Sequence, residues 1–184
     1  YIISHRQIFG DPAKPDVWRD LDVELSKTYK HESGAILKVS GCCVDSGGHH
    51  TSEVYAYCRT RIARRVWAIK GVGGEGRAIV SRPSKSNQGR GQLFSLGVDS
   101  AKDSIYARLA INESGPGYYH FSDTLDEEFF KQLTAEKIVT KYSNGKPYRV
   151  WQQVRNRNEG LDCNVYAMSA LYILSVNLDK VVDN

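Results

Sequence analysis

Hydrophobic residues recur along the chain in two patterns, one typical of helices and one typical of strands. Apolar positions at helical spacing predict helices over 16–29, 50–64, 99–109, 125–132 and 161–176. Runs rich in β-branched and aromatic residues predict strands over 1–8, 35–44, 66–69, 93–96 and 118–121. The tetrapeptide at 143–146, Ser-Asn-Gly-Lys, predicts a hairpin turn between strands 137–142 and 148–151. Strands that alternate with helices indicate an α/β fold with a mixed sheet.

The length and composition suit one globular domain. The chain has 184 residues, of which 41% are hydrophobic and 25% charged, so we expect a single domain over 1–184. Residues 71–91 are rich in Gly, Ser, Arg and Lys and hold few apolar side chains, which predicts a long mobile loop within that domain. The glycines at its start lack the Gly-Lys-Ser/Thr ending of a phosphate loop, so the chain carries no ATPase signature.

The charge and the cysteines narrow the function classes only slightly. The net charge is +4, which is weak support for a polyanionic partner. No apolar run approaches the roughly 18 residues that a membrane span requires, so no membrane contact is expected. The four cysteines fit no zinc-binding spacing, and we expect them to be reduced and packed as small apolar residues, as suits a cytosolic protein.

Two acidic residues stand at the predicted ends of regular elements. Asp45 ends the strand-like run 35–44 and is followed by Gly47-Gly48, which lets a phosphate approach the backbone closely. Asp162 opens the strongly apolar last helix, where burying a carboxylate is costly unless it has a partner or a metal. Two such carboxylates can hold a hard divalent cation capable of phosphodiester chemistry. The alternative is that Asp45 is a turn residue that caps the next helix and that Asp162 is a simple helix-capping acid.

Cationic side chains near these acids offer contacts to phosphate groups. Arg61 and Arg65 are expected to share one face of the helix over 50–64, and a solvated helix face is the alternative. The candidates for substrate binding are Lys70, His49, Arg61, Arg65, Arg155 and Arg157.

Several segments together resemble a known family. They are the six residues at 43–48 (Cys-Val-Asp-Ser-Gly-Gly), 69–71, 99–102, 116–121 and 157–167. In this order they resemble the C-terminal nuclease domain of the lambda-type terminase large subunit of tailed phages. The resemblance implies a ribonuclease H-like, integrase-like fold with a mixed central sheet flanked by helices. It also implies an endonuclease, dependent on Mg²⁺ or Mn²⁺, that cuts concatemeric double-stranded viral DNA during packaging.

The resemblance also implies a set of three catalytic acids around two metal ions. Asp45 matches the acid at the end of the central strand, and Asp162 matches the acid at the start of the C-terminal helix. The first acid of the family lies on an upstream strand, so we expect this chain to lack its first strands and one metal ligand. The implied partners are double-stranded DNA, the terminase small subunit and the portal, and the implied location is the cytoplasm of the bacterial host.

Two alternatives remain open at the level of sequence. One is a catalytically inactive fragment of the same fold that docks DNA or another packaging component. The other is a different ribonuclease H-like nuclease, such as a junction resolvase.

Overall fold

The computed structural model describes residues 1–85 and 91–175, with only the backbone of Lys85. Its contacts divide the chain into two compact units. Among the described residues, we call the first the Asp45 unit (7–70, 82–85, 91–95 and 170–175) and the second the Asp162 unit (1–6, 71–81 and 96–169). The expected arrangement of strands and helices is confirmed at the level of a mixed α/β structure.

Parallel pairing of two strands is the central feature of the Asp45 unit. Its elements are helix α1 (Pro15–Leu25), strands β1 (Thr28–Lys30), β2 (Ile36–Lys38) and β3 (Cys42–Asp45), helix α2 (Thr51–Arg59), a 3-10 turn (Ile62–Arg64) and strands β4 (Val66–Val72), β5 (Ser84–Lys85) and β6 (Gln92–Gly97). β1 and β2 form an antiparallel pair, and the remaining strands lie in the order β3-β4-β6-β5. β3 runs parallel to β4, whereas β5 runs antiparallel to β6, so the sheet is mixed as predicted.

The core of the Asp45 unit forms where the two helices cover these strands. Val54 and Tyr57 of α2 are buried against Val66 and Ala68 of β4. The indole of Trp18 on α1 packs on the ring of Tyr57, with the ring centroids 4.7 Å apart. This apolar layer holds β3 and β4 in place, and their carboxyl ends therefore sit on a fixed scaffold.

The Asp162 unit is built on helices and one long hairpin. Its elements are helices α3 (Val98–Leu109) and α4 (Glu127–Leu133), strands β7 (Glu136–Ser143) and β8 (Lys146–Gln153), and helix α5 (Glu159–Leu174) up to Ser169. The core is a cluster of buried side chains from the three helices: Ala101, Ile105, Phe129, Leu133, Leu161, Val165 and Met168. Asn144 and Gly145 have φ values of 49° and 75°, which confirms the predicted turn between β7 and β8.

The predicted first strand over 1–8 is wrong, and so is the aromatic strand over 118–121. Only an isolated bridge joins Ile2 to Phe121. Aromatic packing takes the place of a strand ladder there, because Tyr1 stacks on His120 with centroids 4.2 Å apart. The high strand propensity of these residues therefore reflects ring packing and not sheet formation.

Three predicted elements differ most from the sequence-based expectation. The first helix ends at Leu25 and not near Tyr29, because Thr28–Lys30 pairs with β2. The strand predicted over 35–44 is interrupted at 39–41 and splits into β2 and β3. The helix predicted over 50–64 ends at Arg59, and the chain then turns through Arg65 in the left-handed region at φ 57°.

Part of the predicted loop over 71–91 has defined structure. Val80 bridges to Leu96, and Ile79 packs against the core of the Asp162 unit. Residues 86–90, which include the cationic Arg90, lie outside the described residues. The mobility of this segment stays a prediction. No helix among the described residues is long and apolar enough to cross a membrane.

Candidate functional site

Asp45 lies at the carboxyl end of β3, as predicted, with its side chain exposed. Its Oδ1 accepts a hydrogen bond from the backbone N–H of Gly47 at 3.0 Å, which closes a turn. The carboxylate thus takes part in the turn that the alternative interpretation proposed. It does not cap the next helix, because His50 holds the position before α2.

The backbone after Asp45 is tied to the neighbouring strand. Both the N–H and the hydroxyl of the buried Ser46 donate to the carbonyl oxygen of Ile69, each at 2.8 Å. The hydroxyl of Thr51 donates to the carbonyl oxygen of Ser46 at 2.7 Å, which joins the same turn to the start of α2. This network fixes the direction in which the chain leaves β3 and therefore the position of the Asp45 carboxylate.

Lys70 lies on β4 near this end of the sheet, and His49 lies in the turn that precedes α2. The register of the parallel pair sets Asp45 opposite Ile69, so Lys70 is the next residue along β4. Alternate residues of a strand point to opposite faces, so the register directs Lys70 and Asp45 to opposite faces of the sheet. The side chains of Lys70 and His49 are both exposed.

Asp162 lies in the first turn of α5, which begins at Glu159. Its side chain is half-buried, and its backbone N–H donates to the carbonyl oxygen of Asn158 at 3.1 Å. Asp162 is therefore a residue within the first turn and not the cap that the alternative interpretation proposed. The adjacent Leu161 is fully buried in the core, so packing fixes the helix at this point.

A buried ionic network holds the start of α5. The ammonium of Lys102 on α3 contacts both carboxylate oxygens of Glu136 on β7, at 2.8 and 2.7 Å. The amide of Asn158 donates to the same carboxylate at 2.9 Å, and the hydroxyl of Tyr106 donates to the carbonyl oxygen of Glu136 at 2.6 Å. Glu136 thus connects the β7–β8 hairpin to Asn158. The carbonyl oxygen of Asn158 in turn accepts the hydrogen bond from the N–H of Asp162.

Close backbone packing adds a second restraint on the same helix start. The N–H of Gly160 donates to the side-chain oxygen of Gln132 on α4 at 3.1 Å. A Cβ atom at Gly160 would lie 3.1 Å from the Cβ of Gln132 and 3.3 Å from the carbonyl oxygen of Phe129. A glycine at this position therefore lets α5 approach α4 closely enough to bury Leu161.

Arg61 and Arg65 do not share a helix face, because α2 ends before them. The guanidinium of Arg61 is held within the protein, with Nε 2.9 Å from Oδ1 of Asp22 and its carbon 3.9 Å from the centre of the Tyr57 ring. Nη1 of Arg64 reaches the same Asp22 oxygen at 2.8 Å. Arg61 and Arg64 therefore both form ion pairs with Asp22, whereas the side chain of Arg65 is exposed.

Arg155 and Arg157 lie in the exposed loop that leads from β8 to α5. Nε of Arg157 lies 3.3 Å from a carboxylate oxygen of Glu159, the first residue of α5. Both arginines therefore lie just before the helix start that carries Asp162, and their role in substrate binding stays a prediction.

The donor chemistry of the candidate acids fits a hard divalent cation. Burial raises the pKa of the Cys43 thiol, two residues before Asp45, to about 12, so this residue offers no thiolate near neutral pH. Carboxylate oxygens are the ligands that Mg²⁺ and Mn²⁺ prefer. Within 1–85 and 91–175, no group of three or more His, Cys, Asp or Glu side chains lies close enough together to hold a metal.

Two parts of this geometry were missed by the sequence interpretation. The hydrophobic spacing of α1 does not single out Asp22, and its partner Arg61 is 39 positions away in the sequence. Lys102 and Glu136 are separated by 34 positions. Neither pair has a local signal, although Lys102 falls in one of the segments that carry the family resemblance.

Comparison with known proteins gives a family match over almost the full chain. The model of the family described as "Terminase large subunit gpA, endonuclease domain" matches residues 1–182. The chain is 34% identical over 180 residues to a protein of Escherichia phage lambda named "Terminase, large subunit". It is 31% identical over 183 residues to a protein of the same name from Enterobacteria phage P21. Each match covers 94% of this chain and 28% of the relative, so the chain spans less than a third of the relatives' length. No solved structure matches the chain significantly.

Proposed function

The chain belongs to the endonuclease-domain family of the terminase large subunit gpA, and we propose that it cuts concatemeric double-stranded viral DNA during genome packaging. The observation that carries this proposal is the family match over 1–182 together with the positions of two acids. Asp45 ends a parallel strand, and Asp162 lies in the first turn of the last helix. These are the two settings in which the family resemblance calls for catalytic acids.

The parallel strand pair that carries Asp45 supports a ribonuclease H-like architecture. β3 and β4 form a parallel pair that α2 covers, and Asp45 follows directly from that pair. Ligands of open α/β sheets gather beyond the carboxyl ends of their strands, which is where Asp45 lies. The proposed fold therefore places a reactive group at a position where such sheets bind substrates.

The proposed cofactor is Mg²⁺ or Mn²⁺, with Asp45 and Asp162 as oxygen ligands. When bound, the metal would activate a water molecule and neutralise charge on the leaving 3′ oxygen. The turn at Ser46 keeps the Asp45 carboxylate at the strand end. The bonds from Asn158 and Gly160 keep the first turn of α5, and hence Asp162, in place.

The phosphate contacts that we propose come from exposed cations of each unit. In the Asp45 unit they are Lys70, His49 and Arg65, and in the Asp162 unit Arg155 and Arg157. The guanidinium of Arg61 is already held by Asp22, so its contribution to binding is to support the surface around it. Contacts of this kind bind the DNA backbone with little readout of the bases.

The setting of this activity is proposed from the family. We propose that the chain acts in the cytoplasm of the bacterial host, with duplex DNA as its substrate. The terminase small subunit and the portal are the proposed partners during packaging.

A plasmid-nicking assay with Mn²⁺ tests the proposed function. We expect the chain to convert supercoiled plasmid to the nicked form in Mn²⁺ and not in EDTA. Asp45→Ala and Asp162→Ala should each lower the rate at least about 100-fold, since each removes a metal ligand. Asp20→Ala, which removes an exposed acid from α1, is the matched control and should nick at the parent rate.

Two results would contradict the nuclease assignment. One is nicking by both alanine variants at the parent rate, which would point to a contaminating nuclease. The other is tight binding of duplex DNA without any metal-dependent nicking, which would favour the docking module of the same fold.

A further inference from the structure

The hairpin of β7 and β8 has two faces of different character. Residues directly opposite each other in an antiparallel pair point to the same side of the sheet. The register pairs Lys137 with Gln152, Lys141 with Tyr148 and Ser143 with Lys146. One face, which we call the basic face, therefore carries Lys137, Val139, Lys141, Ser143, Lys146, Tyr148, Val150 and Gln152.

Three side chains of the opposite face contact α3, whereas Tyr142 near the turn is exposed. Glu136 forms the buried ion pair with Lys102. The ring of Trp151 packs on Tyr106 with centroids 4.7 Å apart, and Nη2 of Arg149 lies 2.9 Å from Oδ1 of Asp103. Because these contacts with α3 all lie on the opposite face, the basic face is directed away from α3.

The basic face carries positive charge that nothing described in the structure neutralises. Lys137, Lys141 and Lys146 are all exposed, and the face holds no acidic residue. Among the described residues, none forms an ion pair with these three lysines, whereas Lys131 on α4 is paired with Glu127 at 2.8 Å. Three unpaired ammonium groups on one side of a ribbon fit a polyanionic partner.

The spacing of the lysines suits a long, regular polyanion. Lys137 and Lys141 are four residues apart on one strand, which corresponds to about 14 Å, and Lys146 lies roughly two residues, about 7 Å, further along the ribbon. The exposed ring of Tyr148 lies directly across from Lys141 on the neighbouring strand. Double-stranded DNA presents closely spaced phosphates over such a length, and its major groove admits a two-stranded ribbon.

The base of the hairpin leads directly to Asp162. Glu136, the first residue of β7, accepts from the amide of Asn158, and the carbonyl of Asn158 accepts from the N–H of Asp162. At the end of β8, the N–H of Val154 donates to the carbonyl oxygen of Ala135 at 2.8 Å. A polymer lying along the basic face is therefore brought towards the helix start that carries the proposed metal ligand.

We propose that the basic face of the β7–β8 hairpin binds the phosphate backbone of duplex DNA and guides it towards Asp162. This inference rests on the proposed function, since a nuclease of this kind needs a bound duplex. It adds Lys137, Lys141 and Lys146 as substrate contacts, which neither the sequence nor the family comparison assigned.

The test is the salt dependence of binding to a fluorescein-labelled duplex, measured by anisotropy in EDTA so that no cleavage occurs. The variant Lys137→Gln/Lys141→Gln/Lys146→Gln removes the three charges from the basic face. If each lysine neutralises a phosphate, the slope of log Kd against log salt falls by about 0.9 per contact, close to 3 in total. The control Lys14→Gln/Lys30→Gln/Lys38→Gln removes the same charge from exposed positions of the Asp45 unit and should leave the slope nearly unchanged.

The outcomes separate this inference from the proposed function. An unchanged slope for the hairpin variant, or an equal fall for the control variant, overturns the inference, and Mn²⁺-dependent nicking then still stands on its own test. Binding only to an acidic protein and not to the duplex also overturns it. Conversely, the salt slope could fall for the hairpin variant while Asp45→Ala and Asp162→Ala nick at the parent rate. That result would reject the nuclease assignment and support the binding surface.

Discussion

At the scale of single residues, Asp22 joins several polar side chains of the Asp45 unit. Its carboxylate accepts from Nε of Arg61 at 2.9 Å, from the hydroxyl of Tyr57 at 3.1 Å and from Nη1 of Arg64 at 2.8 Å. The hydrogen bond from Arg61 is the largest cause that lowers the pKa of Asp22 from 3.8 to about 2, and partial burial opposes it. Asp22 therefore ties α1 to the segment after α2 as a charged group.

Replacement of this carboxylate should destabilise the fold in a pH-dependent way. Asp22→Asn should lower the free energy of unfolding near neutral pH by about 1 to 2 kcal/mol, allowing for solvent screening of a part-exposed pair. Because the folded-state pKa is depressed, this contribution is complete above 3.8 and is lost as the pH falls towards about 2. The difference between parent and variant in urea unfolding should therefore shrink over that window.

The exposed Asp20 on the same helix is the matched control for this measurement. Asp20→Asn should follow the parent across the acid range. Equal stability of parent and Asp22→Asn near neutral pH would show that the arginine contacts contribute nothing to folding.

Among the elements, α3, β7 and α5 are joined by the ion pair of Lys102 and Glu136. The two side chains are 10% and 5% exposed, so loss of either partner leaves a buried charge without its counterion. Lys102→Met alone should therefore cost about 3 to 5 kcal/mol of unfolding free energy. The double variant Lys102→Met/Glu136→Gln should cost clearly less than the sum of the two single changes, by about 0.5 to 3 kcal/mol.

Urea unfolding of the parent, both single variants and the double variant measures this coupling. The amide of Gln at position 136 keeps an acceptor for Asn158, so the comparison isolates the ionic contact. Strictly additive costs would mean that the pair does not stabilise the junction of the three elements.

The elements that the sequence predicts correctly are those set by local chemistry. The Asn144-Gly145 turn needs two residues with positive φ and brings β7 and β8 together without distant help. Asp45 and Asp162 also stand where the sequence places them, at a strand end and in the first turn of a helix. Their roles as metal ligands stay a prediction.

The elements that were predicted wrongly depend on distant partners. Residues 1–8 have strand-like composition, yet only Ile2 finds a bridging partner. α1 stops at Leu25 because Thr28–Lys30 pairs with β2, and no residue within α1 signals that pairing. The buried network around Glu136 joins positions separated by 22 and 34 residues, so no local periodicity reveals it.

For the whole molecule, the net charge does not show where the charged side chains lie. A net charge of +4 gives little reason to expect a polyanionic partner. In the described part of the structure, some cations, such as Arg61, form ion pairs, whereas the three lysines of the basic face do not. The electrostatic case for DNA binding therefore comes from local placement and not from composition.

The central claim is that Asp45 and Asp162 act as metal ligands in DNA cleavage. The most direct measurement is the rate of plasmid nicking as a function of Mn²⁺ concentration for Asp45→Asn and Asp162→Asn, whose side chains match the parent in size. We predict that neither variant approaches the parent rate at any Mn²⁺ concentration, while both keep the parent's thermal unfolding and binding to duplex DNA. Nicking by both variants at the parent rate and with the parent's Mn²⁺ dependence would contradict the account.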